Sequence, residues 1–199
     1  MPRRKLANKQ KENDRMVDII YDKALTLFLK EGYDNTPMSR IAAVLGISKA
    51  GLYYYCSSKE NLLYRIHKSQ LDRQLIPLME EAEKIADPKE RLRFFLRKYA
   101  IELATYPGPR VLMHEVHRLD KRHYREINAI YKRAFELVRG AVKELQKKGE
   151  ARKLKDSFVA FMAIGMSCWT TYWFDYTRPS MAGKLADTLV EVFFRGIEK

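Results

Sequence analysis

Apolar residues recur every three to four positions along almost the whole chain, the spacing of helix faces rather than of strands. Val17, Ile20, Tyr21, Ala24, Leu27 and Phe28 form the first stripe. They predict a helix from about Asp14 to Lys30, stopped by Gly32 as a left-handed cap. Two very short helices follow. In the first, Thr36 is the expected N-cap, Pro37 takes the first helical position, and Gly46 closes the element. Ser48 caps the second, from Lys49 to about Tyr55. Ser58 caps a long fourth helix reaching about Ile85, with a kink or break expected near Pro77. Asp87-Pro88 opens a fifth, to about Thr105, and "YPGPR" interrupts the pattern. A shorter helix through Met113 and Val116 leads to a long one from Lys121 to Lys148, ended by Gly149. An apolar helix over 157–175 and an amphipathic one from Met181 to Gly196 complete the chain. The fold class is all-α, with about nine helices and no internal repeat. Residues 1–13 are expected as a basic flexible arm, 14–60 as a helix-turn-helix DNA-binding domain, and 61–199 as an effector-binding and dimerisation domain.

The two short helices joined by "LGIS", braced by a longer preceding helix, match helix-turn-helix geometry. Gly46 supplies the positive φ that the turn demands. Ile41, Leu45, Ile47 and Leu52 supply apolar contact at the crossing. The second helix would present its N-terminal end and one face to a major groove. It carries three consecutive tyrosines, Tyr53, Tyr54 and Tyr55. Helix neighbours point about 100° apart, so three rings in a row do not share one core. Tyr53 and Tyr54 fall on the outer side, where a hydroxyl can reach a phosphate and a ring can pack on sugar or a thymine methyl. Tyr55 is open between that role and gap filling.

Charge strengthens this picture. Lys plus Arg number 38 against 25 Asp plus Glu in 199 residues, a net charge of +13. Such an excess favours an anionic partner. Arg3, Arg4, Lys5, Lys9 and Lys11 against Glu12 form the arm, which could track phosphates. A charge-driven, sequence-neutral nucleic-acid-binding protein is the alternative. The two cysteines, Cys56 and Cys168, form no framework, which fits a reducing, cytoplasmic setting. The uncharged run Phe158 to Phe174 is 17 residues, at the short limit for a membrane span. Its hydroxyls and tryptophans favour a buried helix in a core or subunit interface. Neither a Ser/His/Asp spacing, nor a Gly-rich phosphate loop, nor a His/Cys cluster is present, which argues against an enzyme.

The segment "GYDNTPMSRIAAVLGISKAGLYYYCSSKENLL" resembles the DNA-binding segment of the TetR family of transcriptional regulators. The matching residues are Thr36, Ile41-Ala42, the run from Gly46 to Cys56, and Ser58-Lys59-Glu60-Asn61-Leu62. The resemblance implies phosphate contacts by Thr36, Lys49, Tyr53 and Lys59. It places Ser39, Arg40, Ala50, Gly51, Tyr54 and Tyr55 at or beside the bases, with Ser48 at the start of the recognition helix. Cys56 departs from the family's usual phenylalanine. The implied function is a regulator, most often a repressor, that binds a pseudo-palindromic operator on double-stranded DNA as a homodimer and is released by a small effector.

The rest of the chain is less explicit. "DPKERLRFFLRKYA" and "PRVLMHEVHRL" resemble TetR-family regulators of lipid, sterol-ring and aromatic-acid breakdown, which sense acyl-CoA thioesters. That resemblance makes an acyl-CoA the candidate effector. Arg110, Arg118 and Arg122 are candidates for its phosphates, or form a plain solvated face. His114 and His117, at i and i+3, join them as candidate pocket residues, since no thiolate beside them supports a metal. Met166, Trp169, Tyr172 and Trp173 lie either in the pocket or in a dimer core. Phe158, Met162, Leu185, Leu189, Val192 and Phe193 are the expected dimer interface.

Overall fold

A computed structural model describes residues 2–198, the side chains of residues 2–10 and of residue 179 excepted. Among the described residues the architecture is all-α, with a single isolated backbone bridge between Ala151 and Glu198. The helices are α1 (Pro2–Glu31), α2 (Met38–Leu45), α3 (Lys49–Tyr55), α4 (Lys59–Gln70), α5 (Ile76–Glu83), α6 (Pro88–Thr105), α7 (Gly108–His114), α8 (Lys121–Lys148), α9 (Asp156–Trp173) and α10 (Ala182–Ile197). A π turn, Leu71–Leu75, joins α4 to α5 without a break, so the two act as one rod and nine rods remain. Short 3-10 segments, Glu115–Arg118 and Pro179–Met181, follow α7 and precede α10.

The N-terminal half packs around Ile20, Ala24 and Phe28 of α1, all 2% exposed or less. Ile41 of α2 and Leu52 of α3 close that core at 0% exposure. Gly46 adopts φ 67°, and its N–H returns to the α2 carbonyls, which turns the chain sharply into α3. In the C-terminal half α6 is the central pole. It packs against α5, α8, α9 and α10, and its Leu92, Phe95, Leu96 and Ala100 are fully buried. The end of the chain is tied down by the Arg152 N–H, which donates to the Ile197 carbonyl at 2.8 Å.

Three local expectations change. The first helix starts at Pro2, not Asp14, so the stretch expected as an arm continues α1. Residues 2–13 lack glycine and are rich in Lys and Arg, joined by Leu6, Ala7, Gln10 and Glu12, good helix formers that need no apolar stripe. Thr36 does not cap α2. Pro37 occupies the cap position with φ −71° and ψ 158°, and no side chain caps the helix. The Thr36 hydroxyl instead donates back to the Gly32 carbonyl at 2.7 Å. Finally, of the kink or break expected near Pro77, the break is absent: a widened π turn just before it absorbs the missing proline N–H without ending the rod. The boundary drawn between residues 60 and 61 falls inside the first turn of α4, which both halves share.

Two glycines separate packing from propensity. A Cβ on Gly108 would lie 2.3 Å from the Tyr106 ring and 3.0 Å from Gln70 Nε2, whereas one on Gly140 would meet nothing within 4 Å. Gly108→Ala is expected to destabilise the protein by about 1–3 kcal/mol through overpacking. Gly140→Ala, inside α8, is expected to stabilise it by about 0.5–1 kcal/mol. Urea unfolding of both variants checks the opposite signs.

Candidate nucleic-acid interface and effector cavity

The outer face of α2 and α3 is held by a small set of local bonds. Ser48 Oγ accepts the Gly51 N–H at 3.0 Å and so starts α3 squarely after the turn. A Cβ on Gly51 would stand 3.3 Å from that oxygen, so a small residue keeps the cap undisturbed. Leu52 and Cys56 face inward, and the Cys56 thiol donates to the Leu52 carbonyl at 3.5 Å. Burial pushes that thiol's pKa up, so it behaves as a small apolar plug at the end of α3.

The three tyrosines divide as their 100° steps require. Tyr54 is 80% exposed and Tyr53 42%, while Tyr55 is half-buried against the core. Tyr54 and Tyr55 meet edge to face with centroids 5.2 Å apart. Lys49 Nζ stands 5.9 Å from the Tyr53 ring centroid, on the same outer surface. Ser39, Ala50 and Arg40 are exposed beside them. Arg40 is forked onto Glu31, with its Nη2 2.8 Å from Oε1. Thr36 is the exception. It is fully buried with its hydroxyl proton on Gly32, so it braces the turn before α2 and does not reach a phosphate.

Behind this face, α4 ties the interface to the rest of the molecule. Ser58 Oγ accepts the Asn61 N–H at 2.9 Å and caps it. Lys59 donates to the Asp34 carbonyl at 3.3 Å, and its ammonium lies 4.2 Å from the Tyr33 ring centroid. Burial holds its pKa below the usual lysine range. Lys59 therefore closes the inner side of the motif, and its outward reach toward a phosphate is correspondingly short. Glu60 Oε1 receives the Asp120 N–H at 3.1 Å and faces His123 Nδ1 at 2.8 Å. The His123 ring stacks on Tyr64 at 3.8 Å, and the Tyr64 hydroxyl donates to Glu126. Glu60, Asp120 and His123 are the described group whose ligand atoms come within 4.8 Å of one another, and those atoms are already paired together.

A cavity lies under the π turn, between α4, α6, α7 and α8. Its polar lining is His67, Gln70, Gln74, Tyr99, Glu102 and Tyr131; leucines, a proline and a methionine supply the rest. It holds about 30 Å³, room for about one water. His67 Nε2 is 2.8 Å from the Tyr131 hydroxyl, and Nδ1 is buried with no hydrogen-bond partner. Burial lowers the His67 pKa to about 4. Burial raises that of Glu102 to about 7, against the pull of Lys98.

Two family models cover most of the chain. Residues 20–66 match bacterial regulatory proteins of the tetR family, and residues 86–197 match the tetracyclin repressor-like C-terminal domain. The chain belongs to the TetR family. Among solved structures, the TetR-family regulator PfmR from Thermus thermophilus superposes with a TM-score of 0.82 at 29% identity, covering 90% of this chain and 99% of that one. AibR, solved in complex with isovaleryl coenzyme A and operator DNA, gives a TM-score of 0.79 at 28% identity over 89% of this chain and 97% of that one. The biofilm operon negative regulator IcaR of Staphylococcus aureus (strain Newman) is 47% identical over 47 residues, 24% of this chain. The match spans only 25% of IcaR's length.

Within this TetR-family chain the expected effector residues do not converge on the cavity. Trp169 and Trp173 are 62% and 74% exposed. Tyr172 is exposed too, with the Arg110 guanidinium 5.7 Å from its ring. Met166 is half-buried beside a second, apolar hollow that Phe158, Met162 and Val192 also line. His114 and His117 are exposed, the latter facing the His114 carbonyl at 2.9 Å. Arg118 pairs with Asp34 at 2.5 Å and with Glu115 at 3.3 Å, bridging the two halves. Arg122 pairs with Glu126 at 3.1 Å. The cavity residues were missed because His67, Tyr99 and Tyr131 are far apart in the chain. The one local signal was a histidine on the apolar stripe of Leu62, Leu63 and Ile66.

The dimer expectation also divides. Phe158, Met162 and Val192 are 63%, 60% and 55% exposed, and Phe161 joins them at 66%. Leu189 and Phe193, by contrast, are 6% and 5% exposed within the chain's own core, and Leu185 is half-buried. α6 is the dominant neighbour of α10, and Phe193 also borders the apolar hollow beside α9.

His67 and Glu102 bind protons in opposite senses. A depressed histidine makes the fold lose stability as pH falls from about 6.5 toward 4, because the unfolded chain takes the proton first. A raised carboxyl makes it gain stability as pH falls from about 7 toward 4.5. The two offset each other in the native protein. Glu102→Gln is therefore expected to steepen the loss of Tm between pH 6.5 and 4.5. A thermal melt series at half-unit pH steps checks it, and an unchanged slope would contradict the opposition.

Proposed function

We propose that this protein is a homodimeric transcriptional repressor that binds a pseudo-palindromic operator through α3 and is released by a small effector. The observation that carries the reading is the exposed face of α3, where Ser48 sets the helix start and Lys49, Ala50, Tyr53 and Tyr54 stand clear of the core. Lys49 and Tyr53 would position phosphates, and Tyr54 would lie against base edges. A dimer is supported by the exposed Phe158, Phe161, Met162 and Val192, side chains whose burial against a second copy favours association. Two recognition helices then meet half-sites about one helical turn or more apart.

The effector would act at the cavity, whose roof is the π turn. The same rod begins at the Ser58 cap, directly after α3, so a ligand that enlarges the cavity tilts the recognition helix. It shifts DNA affinity only as far as it favours one spacing of the two helices over the other. An acyl-CoA thioester is the effector class this reading favours. AibR, of similar fold, is solved with isovaleryl coenzyme A, and the exposed Arg110 beside Tyr172 offers a cation outside the cavity for a phosphate.

Fluorescence anisotropy of DNA from directly upstream of the protein's own gene, against a scrambled control, tests the reading. Specific binding weakened about 5–150-fold by one thioester is the expected outcome. Equal affinity for scrambled DNA would favour charge-driven, sequence-neutral binding and overturn the repressor. Tyr54→Ala should lower operator affinity about tenfold while leaving scrambled DNA unchanged. Lys49→Ala should weaken both and reduce the salt slope by about 0.9 if it neutralises one phosphate.

A further inference from the structure

The cavity under the π turn asks for a hydrogen-bonding partner and offers no positive charge. His67 is 1% exposed and its Nδ1 has no partner, although Nε2 is satisfied by Tyr131. Gln70, Gln74, Tyr99 and Glu102 share the lining, the Tyr99 hydroxyl meeting Cys168 Sγ at 3.6 Å, and among the described residues no lysine or arginine belongs to it. Apolar side chains make up the remaining walls. Resting on the effector reading above, we propose that the part of the effector entering this cavity is uncharged and carries a hydroxyl or ketone oxygen on an apolar ring or chain. Ionised carboxylates and plain hydrocarbon groups are rejected.

Two physical arguments support the choice. A plain hydrocarbon would leave His67 Nδ1 buried and unsatisfied, which favours any ligand able to bond it. A site built to pair a substrate hydroxyl discriminates far more sharply against its absence than an apolar site does against its presence. An ionised carboxylate would lose its water and meet the Glu102 carboxyl with no cation in return. The imidazole is neutral at physiological pH, since burial holds its pKa at about 4. A neutral Nδ1 either donates or accepts, so it pairs with a hydroxyl in one tautomer and with a ketone in the other. The π turn over the cavity is a second, independent feature. Such widened turns recur at functional sites; Gln70 immediately precedes this one and Gln74 lies within it, and both line the cavity. At about 30 Å³ the cavity must open to admit the group, which is the displacement the α4 rod would carry.

Two matched series on the full-length protein test the proposal. One is 3-hydroxybutyryl-CoA, butyryl-CoA and succinyl-CoA; the other is 2-phenylethanol, ethylbenzene and phenylacetate, which lack any thioester. Calorimetry gives the affinities, and 15N NMR of labelled histidine follows His67 Nδ1. The hydroxyl member is expected to bind at least tenfold tighter than both others in a series that binds. Only that member should move the His67 Nδ1 resonance of the wild-type protein. His67→Leu, where it folds, should shrink the preference below threefold. Fragments that keep the order while every thioester fails to bind or to release operator DNA would sink the thioester reading alone. Equal affinities, a preference for the carboxylate, an unmoved His67 signal, or no binding in either series would overturn the proposal.

Discussion

The structure depends on α4 being packed along its whole length. Leu62, Leu63 and Ile66 are 1% exposed or less, and Leu71 and Leu75 of the π turn are 6% and 3% exposed. Each such side chain contributes about 1.5–3 kcal/mol when buried. Those contacts hold the rod against both halves. The recognition helix is attached to one end through the Ser58 cap, and the cavity lies under the other. A close-packed interior transmits displacement because it has few voids to absorb it.

The polar bridges between the halves play a different part. Arg118 and Asp34 are 41% and 66% exposed in their side chains, and Arg73 pairs with a half-exposed Asp18. Exposed pairs of this kind contribute roughly 0–1 kcal/mol each. They orient the halves rather than hold them together. The stacking of Tyr64 on His123, with both rings partly buried, adds apolar contact that salt does not screen. The junction between the halves is thus tight in packing and loose in electrostatics.

Most of the fold was legible because its stops are chemical. Gly32, Gly46 and Gly149 all adopt positive φ, and Ser48, Ser58 and Asp87 all cap with their side chains, as their positions in the chain suggest. The bounds of α3 could be read to the residue for that reason. Sequence reading failed where tertiary partners decide. α9 is apolar on nearly every side, so nothing local shows that Trp169 and Trp173 face outward while Ala163 and Ser167 face inward. The cavity joins residues from four helices, and no spacing announces such a meeting. Thr36 misled for a subtler reason. A threonine before proline can cap the next helix or close the previous turn, and the left-handed Gly32 brought its carbonyl within reach first.

The length of α1 has a consequence for how charge is delivered. Thirty residues of helix extend about 45 Å, and the described burial along it begins near Met16. The helix runs unbroken from Pro2, so the residues ahead of Met16 share its axis rather than the freedom of a drifting tether. A tether samples a volume, and its local charge is a statistical average. A helix has a bearing, and here it is inherited from the packing of Ile20, Ala24 and Phe28.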